Sequence, residues 1–162
     1  MNKQEILEEI NKTKKHLANM KKMLAECERG RWKPEKGKMF YFLNSYNIAI
    51  SETWDADSSD AGHYNIYNCF QTCEQAEAEA EKILVRRMLE DIARRLNKGK
   101  KIDWNNTEQS KYHIDLYCNN IIMDYFVAHK IQGTVFCLDE NFKDVAIQEI
   151  GEERLKNYLK GE

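Results

Sequence analysis

Residues Thr72 to Lys98 read TCEQAEAEAEKILVRRMLEDIARRLNK, and the reading of this stretch decides the fold. It holds neither Gly nor Pro, and the strong helix formers Ala, Glu, Leu, Arg and Lys dominate it. Thr72 with Gln75 three residues on gives a capping box. Glu74, Glu77, Glu79 and Glu81 fill the first half; Arg86, Arg87, Arg94, Arg95 and Lys98 fill the second. That order suits the helix dipole at both ends. At about 1.5 Å per residue the stretch makes a rod of roughly 40 Å. Val85, Leu89, Ile92 and Leu96 form an apolar stripe along it. Short alternating segments lie on either side. The chain therefore reads as α+β: two small antiparallel βββα modules joined by this long helix, preceded by a long N-terminal, coiled-coil-like helix.

Upstream, residues 1–30 carry Ile6, Ile10, Thr13, Leu17, Met20, Leu24 and Cys27 at alternating steps of four and three, the coiled-coil spacing. This seam has two destinations, the stripe of the long helix or the same seam of a second copy in a homodimer. Residues 31–38 are a basic linker holding the only proline, Pro34. The first module spans 39–98, with strands expected at Met39–Leu43, Ile48–Trp54 and Tyr64–Tyr67. Asn44, Ser45 and Asn47 suit a turn, and Asp55–Gly62 reads as an acidic loop. After a linker at 99–110, the second module spans 111–162. Its strands are expected at His113–Cys118, Ile121–Ala128 and Gly133–Phe136, with Asn119-Asn120 as a hairpin signal. Asp139 then caps a helix running to Ile150, Gly151 stops it, and Glu152–Leu159 makes a last short helix. Phe70 and Phe136 each precede a cap and an acidic first turn, as plugs between sheet and helix. A three-stranded sheet with one helix buries too little alone, so the modules must pack on each other or on the long helices.

Apolar residues make up 42% of the chain and charged residues 32%, which is globular rather than disordered composition. No apolar run approaches the roughly 20 residues that span a bilayer, and the first residues lack a signal peptide's apolar core and cleavage site. The 5 cysteines are irregularly spaced and expected reduced in a cytoplasm. The net charge of −2 hides a strong segregation. Residues 39–81 carry 8 Asp/Glu and no Lys or Arg, whereas residues 82–101 carry 8 Lys/Arg and 2 Asp/Glu. Blocks of this size steer association, or neutralise each other within the fold.

Little in the chain declares a reaction. Asp55-Ala56-Asp57-Ser58-Ser59-Asp60 starts like a calcium loop, but its sixth position is Asp60 rather than Gly and its twelfth is Ile66 rather than Glu. His63, Cys69 and Cys73 have no further pair at zinc-ligand spacing. No phosphate loop or nucleophile elbow occurs. Cys73, at a helix start, is expected to be a somewhat acidic thiol. Trp32, Trp54 and Trp104 lie at module edges, where such residues seal a small core. No catalytic residue, metal or cofactor is assigned, and the chain reads as non-enzymatic. A small enzyme or a ligand-sequestering protein would need a pocket lined by converging polar groups.

Several landmarks carry a resemblance. They are Trp32-Lys33-Pro34 before the aromatic strand start Phe40-Tyr41, Trp54 with the acidic residues after it, and Asn68-x-Phe70-x-Thr72-x-Glu74-x-Ala76-Glu77. Asp103-Trp104 before Lys111-Tyr112 follows, and the tail Ile150-Gly151-Glu152-Glu153-Arg154-Leu155-Lys156-Asn157-Tyr158-Leu159 completes the set. Over about residues 30 to 160 the chain resembles small accessory proteins carried by phages and prophages of Gram-positive bacteria. It departs from that pattern at Tyr67, where a Gly is expected before the Asn. The resemblance implies the cytoplasm of a bacterial host and a setting in which inhibitors of host defence, including anti-CRISPR proteins, are common.

Two functional expectations follow. In the first, an acidic face of Glu52, Asp55, Asp57, Asp60, Glu74 and Glu77 binds a bacterial defence protein, a CRISPR-Cas effector nuclease, whose nucleic-acid channel is positively charged. In the second, Arg86, Arg87, Arg94, Arg95, Lys98, Lys100 and Lys101 form a basic stripe for nucleic-acid phosphates. The overall pI of about 6.1 ranks the second below the first.

Overall fold

The computed structural model describes residues 13, 14, 17 and 32–161. Residues 13, 14 and 17 are helical, and Leu17 is 53% exposed. The remainder of the expected N-terminal helix, with its heptad seam and homodimer pairing, lies outside the described residues.

The order of elements is β1 (Met39–Leu43), β2 (Ala49–Thr53), α1 (Ser58–Asn65), α2 (Cys73–Leu96), β3 (Lys111–Tyr117), β4 (Asn120–Phe126), α3 (Phe142–Ile150) and α4 (Glu152–Lys160). Among the described residues this is an α+β chain with four helices and two separate two-stranded antiparallel sheets, β1-β2 and β3-β4. The chain divides into two compact units, one holding 32–42 and 51–72, the other 43–50 and 73–161. The long helix α2 groups with the second unit.

The expected third strands are absent, the first for a local cause. Tyr64–Tyr67 falls at the end of α1 and the turn after it, because the acidic segment before it starts a helix. Asp57 is the N-cap of α1 and its carboxylate accepts from the Asp60 N–H at 2.9 Å. Only one residue of the following segment reaches the sheet, as Phe70 exchanges backbone bonds with Tyr41 at 2.8 and 3.0 Å. Gly133–Phe136 likewise forms no strand; the adjoining Cys137 makes a single bridge to Tyr112, with both bonds at 2.8 Å.

In the first unit the core is aromatic. Phe40 is fully buried and Trp54 nearly so, with ring centroids 5.4 Å apart edge to face. From α1, His63 lies against Phe42 at 4.0 Å and Tyr64 meets Trp54 edge-on at 6.3 Å. The Lys33 ammonium sits 5.3 Å from the Tyr64 ring centre and 5.8 Å from that of Trp54. Pro34 is buried and Trp32 stands 36% exposed. The Trp32-Lys33-Pro34 landmark thus contributes its lysine and proline to the seal of this core.

In the second unit Val85, Leu89 and Ile92 of α2 pack with Ile114, Phe142, Ala146, Ile150 and Leu155, and Leu96 is half-buried against them. The α2 stripe is taken up by β3, α3 and α4 of its own unit. β3 and β4 pair from Lys111↔Phe126 to Tyr117↔Asn120. The turn is Cys118-Asn119, at φ 49° and 62°, one residue earlier than the expected Asn119-Asn120. Two left-handed residues match the twist of a two-residue hairpin. α3 begins at Phe142, three residues after the expected cap. Asp139 instead accepts from the backbone and side-chain amides of Asn141, both at 2.9 Å, in a turn ahead of the helix. Gly151, at φ 96° and ψ 139°, ends α3 and immediately precedes α4.

Lys111 is fully buried in this unit. Its ammonium donates to the carbonyls of Asn106 and Val127, each at 2.6 Å, and lies 5.7 Å from the Trp104 ring centre. Trp104 in turn meets Phe136 edge-on at 5.0 Å. The Asp103-Trp104 and Lys111-Tyr112 landmarks are thereby one latch, tying the 99–110 linker to the sheet. No helix among the described residues is long and apolar enough to cross a membrane.

Candidate functional site

The first unit carries three of the expected acidic residues at its surface. Glu52 is exposed on β2, and Asp55 and Asp57 are exposed in the segment between β2 and α1. Asp60 is different: only 2% of it is exposed. Its Oδ2 accepts from the backbone N–H groups of Asp55 at 2.7 Å and Ala56 at 2.8 Å. Ala56 has φ 62°, a left-handed conformation unusual for a residue with a side chain. Asp60 is therefore no part of a binding face. It is the internal acceptor that shapes the loop presenting Asp55 and Asp57. Its signature was present in the sequence, since an Asp N-cap with an acid three residues on resembles a capping box.

Glu74 and Glu77 belong to the first turns of α2 and are exposed there, in the second unit. Thr72 occupies the position just before the helix, where a cap belongs. The Cys73 thiol donates to a Glu77 carboxylate oxygen at 3.6 Å. Partial burial, and then the negative charges of Glu77 and Glu74, raise this thiol above its ordinary pKa. The expected acidic thiol is thus corrected: burial, with two carboxylates next to the sulfur, outweighs the helix start.

The basic set is partly neutralised. Arg86 pairs with Glu90 at 3.0 Å, and Arg94 pairs with Asp91. Arg95 reaches Asp91 at 3.0 Å and Glu149 at 2.5 Å. These bonds, that to Glu149 foremost, hold the Arg95 guanidinium still more firmly protonated. Arg87, Lys98, Lys100 and Lys101 are exposed and pair with no carboxylate among the described residues. Lys98 and Lys100 lower the Asp139 pKa, although the Asn141 amides contribute more. The expected stripe of seven cations is therefore a cluster of three lysines after α2, plus one arginine on the helix.

Among the described residues no group of three His, Cys, Asp or Glu side chains converges as a metal site. Trp54 is buried in its core, and the half-buried Trp104 lies edge-on to Phe136. No protein-family model, no curated protein and no solved structure matches the chain.

Proposed function

We propose that this chain is a non-enzymatic binding protein, of phage or prophage origin, that inhibits a bacterial defence nuclease of the CRISPR effector class. The observation that carries the reading is the acidic loop between β2 and α1 of the first unit. Between residues 39 and 81 no Lys or Arg occurs, and Asp55 and Asp57 stand out on a loop fixed by the buried Asp60. A rigid display of carboxylates suits a partner whose channel is built for phosphates, because no ordering cost falls on the acidic side at docking. Glu74 and Glu77, expected on the same face, are exposed acids of the second unit. The phage setting rests on the landmark resemblance.

The two sheets support a common plan for the halves. In each, the first strand of a hairpin accepts one isolated bridge from the segment ahead of a helix, Tyr41 from Phe70 and Tyr112 from Cys137. We read both as forms of one βββα unit whose third strand has shrunk to a single bridge.

The test is a DNA-cleavage assay with a guide-loaded effector nuclease of the host, run with the wild-type chain and with the Glu52→Gln/Asp55→Asn/Asp57→Asn variant. Inhibition by the wild type that weakens at least tenfold in the triple variant, and weakens with added salt, supports the reading. Undiminished inhibition by the variant removes the acidic-surface mechanism. No inhibition by the wild type removes the effector as target.

A further inference from the structure

The missing third strand of the second sheet leaves a cavity. After the bridge at Tyr112↔Cys137 the preceding residues do not continue the pairing along β3. Between them lies a pocket of about 400 Å³, bounded by His113, Ile114 and Asp115 on the strand side and by Thr134 and Val135 on the other. Leu89, Phe142 and Leu159 supply its apolar wall. The volume lies at the small end of the roughly 300–1,000 Å³ typical of ligand sites.

Two polar features meet there. Tyr112 turns its N–H and C=O toward Cys137, and the alternation of an antiparallel strand turns those of Ile114 the same way. Neither group of Ile114 meets a backbone partner across the gap among the described residues. The next N–H on that edge, of Leu116, is taken by the Asp115 carboxylate at 2.7 Å, as happens where no neighbouring strand supplies an acceptor. Second, Asp115 is the one charged residue of the lining, so the pocket disfavours anions.

We propose that this pocket binds a small uncharged carboxamide with an apolar body. Its N–H and C=O complete the open edge at Ile114 as the absent strand would have done. Its apolar body lies on Leu89, Phe142 and Leu159. This site is independent of the acidic surface of the first unit.

The probe is 3-phenylpropanamide, with 3-phenylpropanoate as the anionic control of the same shape, titrated into the ¹⁵N-labelled full chain and followed by amide chemical shifts. Saturable shifts centred on the Ile114 and Thr134 amides, with the carboxylate at least tenfold weaker, are expected. Thr134→Trp, at the half-buried rim, fills the pocket and abolishes binding while far-UV circular dichroism and the unfolding midpoint stay in place. Absence of saturable shifts at these amides overturns the proposal. So do equal binding of amide and carboxylate, and undiminished binding by a folded Thr134→Trp variant.

Discussion

Asp60 shows how much a single carboxylate decides in the first unit. It is buried and holds two backbone amides, so Asp60→Ala orphans both donors and opens a small void. A loss of about 2–3 kcal/mol is expected, read as a lower urea midpoint by Trp54 fluorescence, whereas Asp55→Ala on the exposed loop stays within about 0.5 kcal/mol. Tyr67 is the departure from the resembled pattern, and it adopts φ 64° while 76% exposed. A left-handed backbone costs a non-glycine residue about 1–2 kcal/mol, so Tyr67→Gly is expected to raise the thermal midpoint despite the added freedom of the unfolded chain. In the second unit, Asp139 titrates below its ordinary pKa near 3.8, chiefly through the Asn141 amide bonds. A depressed carboxylate pKa stabilises the fold above the unfolded value and loses that contribution as pH falls through the folded one. Asp139→Asn is therefore expected to destabilise near neutral pH and to flatten the acid limb of stability below about pH 4, checked by denaturation across pH 2–7. At this scale the sequence was informative about which residue types matter and silent about burial. The same carboxylate chemistry makes Asp55 a surface group and Asp60 a core one, and only the path of the loop separates them.

The long helix and the two C-terminal helices were the legible elements, whereas α1 reads in the sequence as a loop and a strand. The start of α2 falls one residue after Thr72 and its end at Leu96, because a long run of strong helix formers leaves no competing local choice. The α3–α4 break at Gly151 was equally plain, since φ 96° with ψ 139° suits glycine alone. A Cβ there meets no neighbouring atom, so the cost of Gly151→Ala is conformational. It is expected to lower stability by about 1–3 kcal/mol in thermal unfolding of the second unit. Strands were less legible. Alternation at Tyr64–Tyr67 is too short to prevail over the N-cap at Asp57, which recruits the segment into α1. The β3-β4 hairpin was foreseen, but its turn slid by one residue onto Cys118. The asparagine signal fixes the presence of a tight turn more firmly than its register.

Charge is where the molecule as a whole departs from its sequence. The 82–101 block looks strongly basic in one dimension, yet Arg86, Arg94 and Arg95 spend their charge on Glu90, Asp91 and Glu149. Duplex DNA affinity at 150 mM salt is accordingly expected to be no tighter than the non-specific range of about 10⁻⁴ to 10⁻⁶ M, with fluorescence anisotropy as the check. Carboxylates of the 39–81 block meet no cation within their own segment, but the exposed Lys33, Lys36 and Lys38 share the first unit with Glu52, Asp55 and Asp57. Lys111 adds a readout of a different kind. An acylating reagent should modify the surface amines quickly and spare this one, whose ammonium is enclosed by two carbonyls and an indole. The rate at which Lys111 becomes labelled then clocks the transient opening of the linker from its sheet, giving a local stability without any substitution in the chain.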